Sequence, residues 1–422
     1  MSSSTQDSKP KLPLQFWIVA SIAFINSVSF TIIIPVLYPY AKQFGLTDFE
    51  ASLLTTAYSL SQFLGTPVLG QLSDRWGRRP LLVVSLLGTV VSNLMAAIAA
   101  VPLLLFAARI FDGITGGNNS IAQAVVSDIT TPEQRTQAFG IYSGLFRLGF
   151  VAGPPLSYLA QTVPPVPGVS SLGMSFLVSA AIALIAAVLC FFFLSETKVE
   201  PTGEQLGDSD RAGAESSEGK NSKAKKKIDF IGLLTALGRP VTGRILLMTF
   251  LNGFTFTIFT FAFQPFFINE LGQDEKNLAI AFVAFGVLAF LSQVFALEPL
   301  RKRFSIVNVL VGALIARGAL FMLMPALPNI FAFSILLGFF GLVNAFPMPL
   351  IDSILSTRSS QDEQGEVLGL NASYLSISNA IGPAISGLLV TAFGYSMPFW
   401  VAGILTVIVA IFALTLRQPE TA

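Results

Sequence analysis

Histidine is absent from the 422-residue sequence, and cysteine occurs once, as Cys190. The absence of histidine excludes histidine-based catalysis and histidine metal sites. A single cysteine excludes an intrachain disulfide and a cysteine metal cluster. No motif places a nucleophile beside an activating base. The sequence therefore predicts a protein that is not an enzyme and that needs neither a metal nor a cofactor.

Charged residues are scarce as well. They make up 12% of the sequence, against 53% hydrophobic residues, and the mean hydropathy is +0.70. Soluble domains carry about 25% charged residues, so this composition indicates a polytopic protein surrounded by the lipid bilayer. The formal net charge is only +1, and the basic residues lie in separate loops instead of on one face. We therefore do not expect a nucleic-acid partner.

Apolar stretches of about 20 residues, the length that crosses a bilayer, recur along the whole chain. The twelve predicted spans, numbered in chain order, are 14–38, 51–71, 80–100, 102–125, 136–160, 172–194, 244–268, 278–298, 305–325, 329–351, 367–392 and 396–416. With both termini in the cytoplasm, only Lys42 and Lys276 of the basic loop residues fall outside, as the positive-inside rule requires. We expect a multi-pass protein of the plasma membrane, the inner membrane if bacterial, with cytoplasmic termini.

A polar stretch, 195–240, divides the spans six and six. It is rich in Gly, Ser, Glu and Lys and predicts a disordered cytoplasmic linker. The chain then consists of an N-terminal six-helix bundle (14–194) and a C-terminal six-helix bundle (241–416), with cytoplasmic tails at 1–13 and 417–422. Two such bundles are typical of transporters whose halves move as rigid bodies.

The two halves also repeat in sequence. A constant offset carries residues 140, 149 and 153 of span 5 onto 369, 378 and 382 of span 11, and Pro154 onto Pro383. Parallel repeats of this kind are found in transporters built from two related bundles. The second copy of the charged loop after span 2 is degenerate, because it lacks the glycines.

That charged loop is the strongest motif. It reads Gly70-Gln71-Leu72-Ser73-Asp74-Arg75-Trp76-Gly77-Arg78-Arg79-Pro80, and it closely resembles the signature loop between the second and third helices of the major facilitator superfamily. The resemblance implies an all-α integral membrane fold with twelve transmembrane helices. It also implies a cytoplasmic gate formed by Gly70, Asp74, Arg75, Gly77, Arg78, Arg79 and Asp128. The alternatives are a basic loop that only orients the hairpin and ordinary helix capping by Asp128.

Span 5 carries a second motif. Gly140, Gly149, Gly153 and Pro154 resemble the antiporter signature of the drug/proton antiporter branch, and the first half as a whole looks most like its tetracycline-exporter-like members. In the family this motif is associated with export. The pattern departs where the family has two further glycines. The alternative is a small-residue surface on which helices pack closely.

Span 4 carries a third motif, in which Arg109 and Asp112 are three residues apart and share a helix face. In the family the arginine is implicated in proton coupling, whereas a self-neutralising ion pair is the alternative. Tetracycline/proton antiporters have acids where this chain has Asn26 and Asn93. We therefore do not expect tetracycline itself as a substrate, and we expect Asp112 to exchange the proton.

The family architecture places spans 1, 4, 7 and 10 around a central cavity. The polar groups of these spans are Asn26, Asn119, Gln123, Asn252, Gln264, Asn344 and Asp352, among six phenylalanines of span 7, about half of which we expect to face the cavity. Arg147 of span 5 is the candidate for binding an anionic substrate group, or else the partner of an acid on another helix. Arg317 is assigned a structural role, because span 9 is peripheral in the family.

These features predict a monomeric secondary transporter that exports small amphipathic organic molecules by proton antiport with alternating access. Its partners would be the small-molecule substrate and protons. Two alternatives remain open: a facilitator or importer of a small metabolite on the same fold, and a non-transporting membrane sensor.

Overall fold

The computed structural model describes residues 12–197, 235–358 and 364–416, and every regular element within these ranges is a helix. Most of the predicted tails and most of the predicted linker lie outside them. Both ends of the linker lie within the described ranges. Ser195 accepts and donates hydrogen bonds with Gln15, and Ala236 is buried in a cluster with Leu246 and Tyr374. At both ends, the predicted linker therefore contacts the helical bundles.

Helices occupy all twelve predicted spans. In the first half, span 1 is Leu14–Ile32 with Ile34–Gln43, span 2 is Asp48–Trp76, span 3 is Arg78–Ala97, span 4 is Pro102–Thr115 with Asn118–Ile129, span 5 is Pro132–Thr162 and span 6 is Gly173–Phe193. In the second half, span 7 is Thr242–Pro265 with the π-helical turn Phe266–Glu270, span 8 is Glu275–Phe295, span 9 is Ile306–Ala326, span 10 is Ile330–Asn344 with Pro347–Arg358, span 11 is Gln364–Phe393 and span 12 is Met397–Ala413 with the turn Leu414–Leu416. A short helix, Leu297–Arg303, joins spans 8 and 9.

Nine of the described spans are long and apolar enough to cross a membrane by composition alone. Spans 2, 4 and 5 are the exceptions. Span 2 begins and ends with charged residues, span 4 contains Arg109 and Asp112, and span 5 contains Arg147. All three spans belong to the first half, and these charges lower their hydropathy. A charged group in a membrane helix is usually paired with a neighbouring group.

Three of the four central spans are interrupted, and the fourth ends in a π-helical turn. Span 1 breaks at Ile33, two residues before Pro35, and span 10 breaks immediately before Pro347, because proline lacks the N–H that a continuous helix needs. Span 4 breaks at the glycine pair Gly116 and Gly117, and span 7 ends in its π-helical turn. Interrupted helices are typical of transporter spans that line a binding site.

The helices pack in the same way in both halves. Span 1 packs on spans 5 and 6 and span 3 on span 6, while span 7 packs on spans 11 and 12 and span 9 on span 12. The halves meet along two seams, where span 2 packs on span 11 and span 5 on span 8. At the end remote from the termini, Asn269 donates to the Tyr38 hydroxyl (3.0 Å), which donates to Asp48 (2.6 Å).

The glycine motif of span 5 is a close-packing surface. A Cβ at Gly149 would lie 2.6 Å from the Ser27 Cβ, and one at Gly153 would lie 2.7 Å from the Thr31 Cβ. The Thr31 hydroxyl donates to the Gly149 carbonyl across this contact (3.0 Å). Gly140 differs, since a Cβ there would meet no atom within 4 Å. Two of the three motif glycines are thus required for the approach of span 1.

The second half repeats this surface with one exchange. A Cβ at Gly253 would lie 3.0 Å from the Ser378 Cβ, so serine and glycine have changed places relative to the first half. A Cβ at Gly382 would lie 2.9 Å from the Thr257 Cβ, and the Thr257 hydroxyl donates to the Ser378 carbonyl (3.1 Å). The repeat seen in the sequence is therefore a repeat of helix contacts.

Candidate functional site

Two adjoining cavities lie between the halves, with volumes of about 430 Å³ and about 650 Å³. We call them the first and the second cavity. They share wall residues, among them Phe150, Phe256 and Asn344, and so form one central space. Spans 1, 4, 7 and 10 all contribute to the walls. A concave, mostly apolar space of this size with few polar groups suits a small organic ligand.

The phenylalanines of span 7 supply much of the apolar wall. Phe256 and Phe261 face the first cavity, and Phe256, Phe259 and Phe263 face the second. Phe259 and Phe263 also belong to the aromatic cluster inside the second half. Span 7 thus turns one side to the cavity and the other to the core, as a helix must.

Arg109 and Asp112 form a buried ion pair in span 4. The Arg109 Nη1 lies 3.0 Å from the Asp112 Oδ2, and the two side chains are 5% and 6% exposed. The guanidinium also stacks over the Tyr58 ring, with 4.4 Å between Cζ and the centroid. Arg109 lies on the wall of the first cavity, so the pair is both shielded from lipid and next to the space where a substrate would bind.

Asp112 is held from a second helix as well. Thr89 and Ser92 of span 3 provide hydroxyl groups at its carboxylate. The Nε of Arg109, by contrast, is buried without a hydrogen-bond partner in the described part of the chain. An unsatisfied buried donor on a charged group is costly, and this one belongs to the side chain that faces the cavity.

Arg78 is the centre of the charged loop between spans 2 and 3. Its Nη1 lies 2.6 Å from the Asp74 Oδ1, and its Nε donates to the Asp128 Oδ2 (3.1 Å). The Nη1 also donates to the Ser73 hydroxyl (2.7 Å). These contacts join the ends of spans 2, 3 and 4, and they bring together the acids and the arginine that the sequence motif singled out.

The remaining loop residues have different surroundings. Gly77 has a φ of +103°, which favours glycine, and it forms the turn into span 3. Arg79 stacks over the Phe191 ring at 5.4 Å and donates to the Phe191 carbonyl. Arg75 is exposed. Gly70 faces open space, because a Cβ there would meet no atom within 4 Å.

Glu196, just after span 6, binds the charged loop although it lies outside the sequence motif. Its carboxylate accepts the backbone N–H groups of Arg78 (2.8 Å) and Arg79 (3.2 Å). It therefore caps the start of span 3, where free N–H groups and the helix dipole favour an anion. A Cβ at Gly77 would lie 2.8 Å from the Glu196 Cδ. An acid directly after an apolar span that ends beside a basic loop was the signal available in the sequence.

Arg147 and Asp352 face each other across the second cavity. Arg147 comes from span 5 and Asp352 from span 10, so the acid belongs to the other half. The two charges interact electrostatically, although no direct ion pair joins them. Asp352 also accepts a hydrogen bond from the Asn371 amide (3.1 Å). The sequence left two partners open for Arg147, an anionic substrate group and an acid on another helix. An acid on another helix lies in the same cavity.

The polar residues expected in the cavity divide into two groups. Asn252, Gln264 and Asn344 lie on the wall of the first cavity. Asn26 does not line either cavity. It accepts a hydrogen bond from the Asn118 amide (3.0 Å) inside the first half, because its side chain points from span 1 toward span 4. The sequence places Asn26 on a central span but does not specify which face of that span it occupies.

Arg317, for which the sequence predicts a structural role, lies on the wall of the first cavity. Its span is peripheral along most of its length, but the side chain extends inward and is 1% exposed. It donates to the Asn344 Oδ1 (3.4 Å) and the Thr255 hydroxyl (3.2 Å). Span 9 is apolar on all sides, so no amphipathic stripe indicated this orientation.

Comparison with known proteins assigns the family. The model of the Major Facilitator Superfamily matches residues 19–242 and 245–422. The tetracycline resistance protein, class C, of Escherichia coli is 28% identical over 374 residues, 87% of each chain. Multidrug resistance protein 2 of Bacillus subtilis (strain 168) is 26% identical over 394 residues, 93% of this chain and 92% of that protein.

A solved structure with the same fold is a bacterial homologue of the human lysosomal transporter Spinster, in an inward-facing and unoccupied conformation. It is 17% identical, its TM-score is 0.75, and the match covers 96% of this chain and 98% of that one. The helical architecture, the charged loop and the match of the family model along nearly the whole sequence lead to one conclusion: the chain is a multi-pass membrane protein that belongs to the Major Facilitator Superfamily.

Proposed function

We propose that this protein exports small amphipathic organic molecules by proton antiport with alternating access. One observation carries the proposal: the buried Arg109–Asp112 pair lies at the wall of a mostly apolar cavity between two repeated halves. The relatives, which are named as tetracycline and multidrug resistance proteins, support the direction of transport. The protein acts as a monomer in the plasma membrane, with both termini in the cytoplasm.

In this mechanism Asp112 alternates between an ion pair with Arg109 and a protonated form. As a carboxylate it holds Arg109, which neutralises a charge that would be costly inside the membrane. When Asp112 takes up a proton from the external side, the attraction ends and Arg109 is free to turn toward the cavity. The charge change biases the equilibrium between two arrangements of the halves, which is how a local event becomes a global one. Release of the proton to the cytoplasm restores the pair.

The two halves would move against each other along the seams between spans 2 and 11 and between spans 5 and 8. The Arg78 network with Asp74 and Asp128 would hold the cytoplasmic end of the first half as a unit, so that this end moves as a rigid body. Breaking the network then biases the inward-open state.

Tetracycline itself is not the substrate we propose. Asn26 and Asn93 stand where tetracycline/proton antiporters have acids, and an amide neither carries a proton nor helps to hold a chelated metal. Both side chains are used inside the first half, since Asn26 accepts from Asn118 and Asn93 donates to Ser179 (3.0 Å). A mostly apolar cavity instead favours ligands with an apolar body.

The experiment that tests this function is a substrate screen in inside-out membrane vesicles, with and without an imposed proton gradient. An exporter accumulates its substrate inside such vesicles when the lumen is acidic. A facilitator equilibrates its substrate regardless of the gradient, and a proton-coupled importer responds to the opposite gradient. Absence of transport across a broad panel of amphipathic compounds, with the purified protein folded, would favour the sensor.

A further inference from the structure

Three arginines lie inside the membrane region and differ in their counter-charges. Arg109 has Asp112 at 3.0 Å. Arg147 has Asp352 across the second cavity. Arg317 has no ion pair with any described residue, and the described wall of the first cavity contains no acid.

The contacts of Arg317 leave most of its hydrogen-bonding capacity unused. A guanidinium carries five N–H donors, and Arg317 makes two hydrogen bonds, both to neutral oxygens, on Asn344 and Thr255. Its Nε is buried without a partner. A charged group that is 1% exposed and lacks an opposite charge is rare, because such burial is expensive unless the charge is paired.

Two neutral side chains on the same cavity wall as Arg317 also have buried atoms without hydrogen-bond partners. The Asn252 Oδ1 and the Gln264 Oε1 are buried without hydrogen-bond partners, and both residues line the same cavity as Arg317. Both of these oxygens are hydrogen-bond acceptors, so they can accept from donor groups on a bound molecule. Arg317 is the uncompensated positive charge of this wall, and the surrounding wall is mostly aromatic and aliphatic.

We infer that Arg317 is the anion-binding residue of the first cavity and that the substrate is an amphipathic organic carboxylate. The guanidinium offers a fork of parallel N–H groups that fits a carboxylate in a bidentate arrangement. Asn344 and Thr255 orient the fork. The apolar body of the ligand lies against the phenylalanines of spans 1 and 7. This inference rests on the proposed transport function for its role in the cell.

A carboxylate suits the site better than a dianion such as a phosphate monoester. Only one positive charge on the described wall lacks a partner, because the charge of Arg109 is taken up by Asp112. A single negative charge therefore balances the first cavity, while a second one would be buried without compensation. The arrangement also distinguishes this cavity from the second, where Arg147 and Asp352 already balance each other.

The test is a binding measurement on the purified full-length protein in lipid nanodiscs, using radiolabelled probes in matched pairs. Each pair is a carboxylate and its neutral primary amide: biphenyl-4-carboxylate, 2-naphthoate and decanoate with their amides. We expect the protein to bind at least one acid about tenfold more tightly than its amide, because hydrogen bonds to charged groups are worth about that much. Arg317→Gln should abolish this preference while affinity for the amide is retained.

Two further variants complete the design. Arg317→Lys keeps the charge but loses the fork, so it should retain only part of the preference for the acid, and it serves in place of Arg317→Gln if that variant does not fold. Arg301→Gln removes an exposed arginine from the short helix Leu297–Arg303 before span 9 and should leave the preference unchanged. The inference is overturned if the protein prefers no acid over its amide in any pair, or if either Arg317 variant keeps the full preference.

The binding readout separates this inference from the proposed function. If vesicles show no gradient-driven transport while the acid is still preferred and the preference depends on Arg317, the transport mechanism is wrong and the anion site stands. If transport is driven by the gradient but acids and amides are handled alike, the function stands and the anion site is wrong.

Discussion

The two halves share one packing scheme but treat their polar groups differently. In the first half Arg109 is paired with Asp112 and Asn26 with Asn118, while Arg147 faces Asp352 of the other half. In the second half, Arg317 faces the cavity without an acid, and Asn252 has a buried oxygen without a partner. The first half also contains the charged network of Arg78. The corresponding connection in the second half contains the exposed ion pair of Lys302 and Glu298.

This difference indicates a division of labour between duplicated halves. Paired charges can be separated by a proton, so the first half is suited to coupling and gating. An unpaired charge is suited to binding a ligand of opposite charge, so the second half is suited to recognition. Because the contacts of spans 1 and 5 recur in spans 7 and 11, the division arose on a common scaffold and depends on individual side chains.

The largest effect is expected for Asp112→Asn. Since an amide cannot carry a proton, gradient-driven accumulation in inside-out vesicles should be lost, while exchange of substrate without a gradient continues. Asp274→Asn is the matched control, because Asp274 caps span 8 in the second half and Asn caps a helix equally well. Full gradient-driven accumulation by Asp112→Asn would show that the coupling acid lies elsewhere.

The repeated helix contact predicts that a destabilising substitution on one helix can be compensated by a second substitution on the helix packed against it. Gly149→Ser should destabilise the first half by about 1–3 kcal/mol, as overpacked sites do, because the new Cβ would meet Ser27. Adding Ser27→Gly should restore most of the loss, since the pair would then match Ser378 and Gly253 of the second half. Thermal unfolding of the purified protein measures both.

Gly140→Ser is the control for this pair, because a Cβ at Gly140 has open space around it. Its melting temperature should stay close to that of the unmodified protein. If Gly149→Ser is tolerated as well as Gly140→Ser, or if Ser27→Gly fails to rescue it, the two halves do not share this contact in the way described.

A smaller, kinetic effect is expected for Asp74→Asn. Removing one acid from the Arg78 network should open the cytoplasmic end and slow turnover several-fold without loss of folding. Glu298→Gln removes the acid from the exposed pair in the corresponding loop of the second half and should change neither property, because exposed ion pairs contribute little. Accessibility of cysteines introduced at the inner rim, together with transport rates, provides the measurement. Unchanged accessibility in Asp74→Asn would argue against a gate.

The smallest effect concerns the charges that face each other between the halves. Arg147→Gln and Asp352→Asn should each reduce transport of neutral and anionic compounds alike, because each leaves the other charge unbalanced. The double variant should be less impaired than the sum of the two, which a double-mutant cycle measures. A selective rise in KM for anionic compounds in Arg147→Gln would instead assign substrate binding to Arg147.

Much of the fold could be predicted from the sequence, because length and hydropathy identify most membrane spans. The spacing of Arg109 and Asp112 predicted a shared helix face, and the structure shows the two in contact. Counting consecutive apolar residues could not give the true length of span 2 or the break in span 4. These depend on helix caps and on the glycines that permit a break.

The site was harder to predict, because it depends on which face of an apolar helix turns inward. Asn26 lies on a central span but points into the first half, whereas Arg317 lies on a peripheral span and extends to the cavity. Neither helix has an amphipathic stripe that fixes its rotation. Such orientations are determined by packing between helices, which a single sequence does not contain.

The most direct test of the division between the halves is one transport measurement on two variants. Uptake of a carboxylate and of its matched amide is followed in inside-out vesicles, with and without a proton gradient, for Asp112→Asn and Arg317→Gln. We predict that Asp112→Asn loses the response to the gradient but still prefers the acid, and that Arg317→Gln loses the preference but still responds to the gradient. Loss of both properties in both variants would contradict the division.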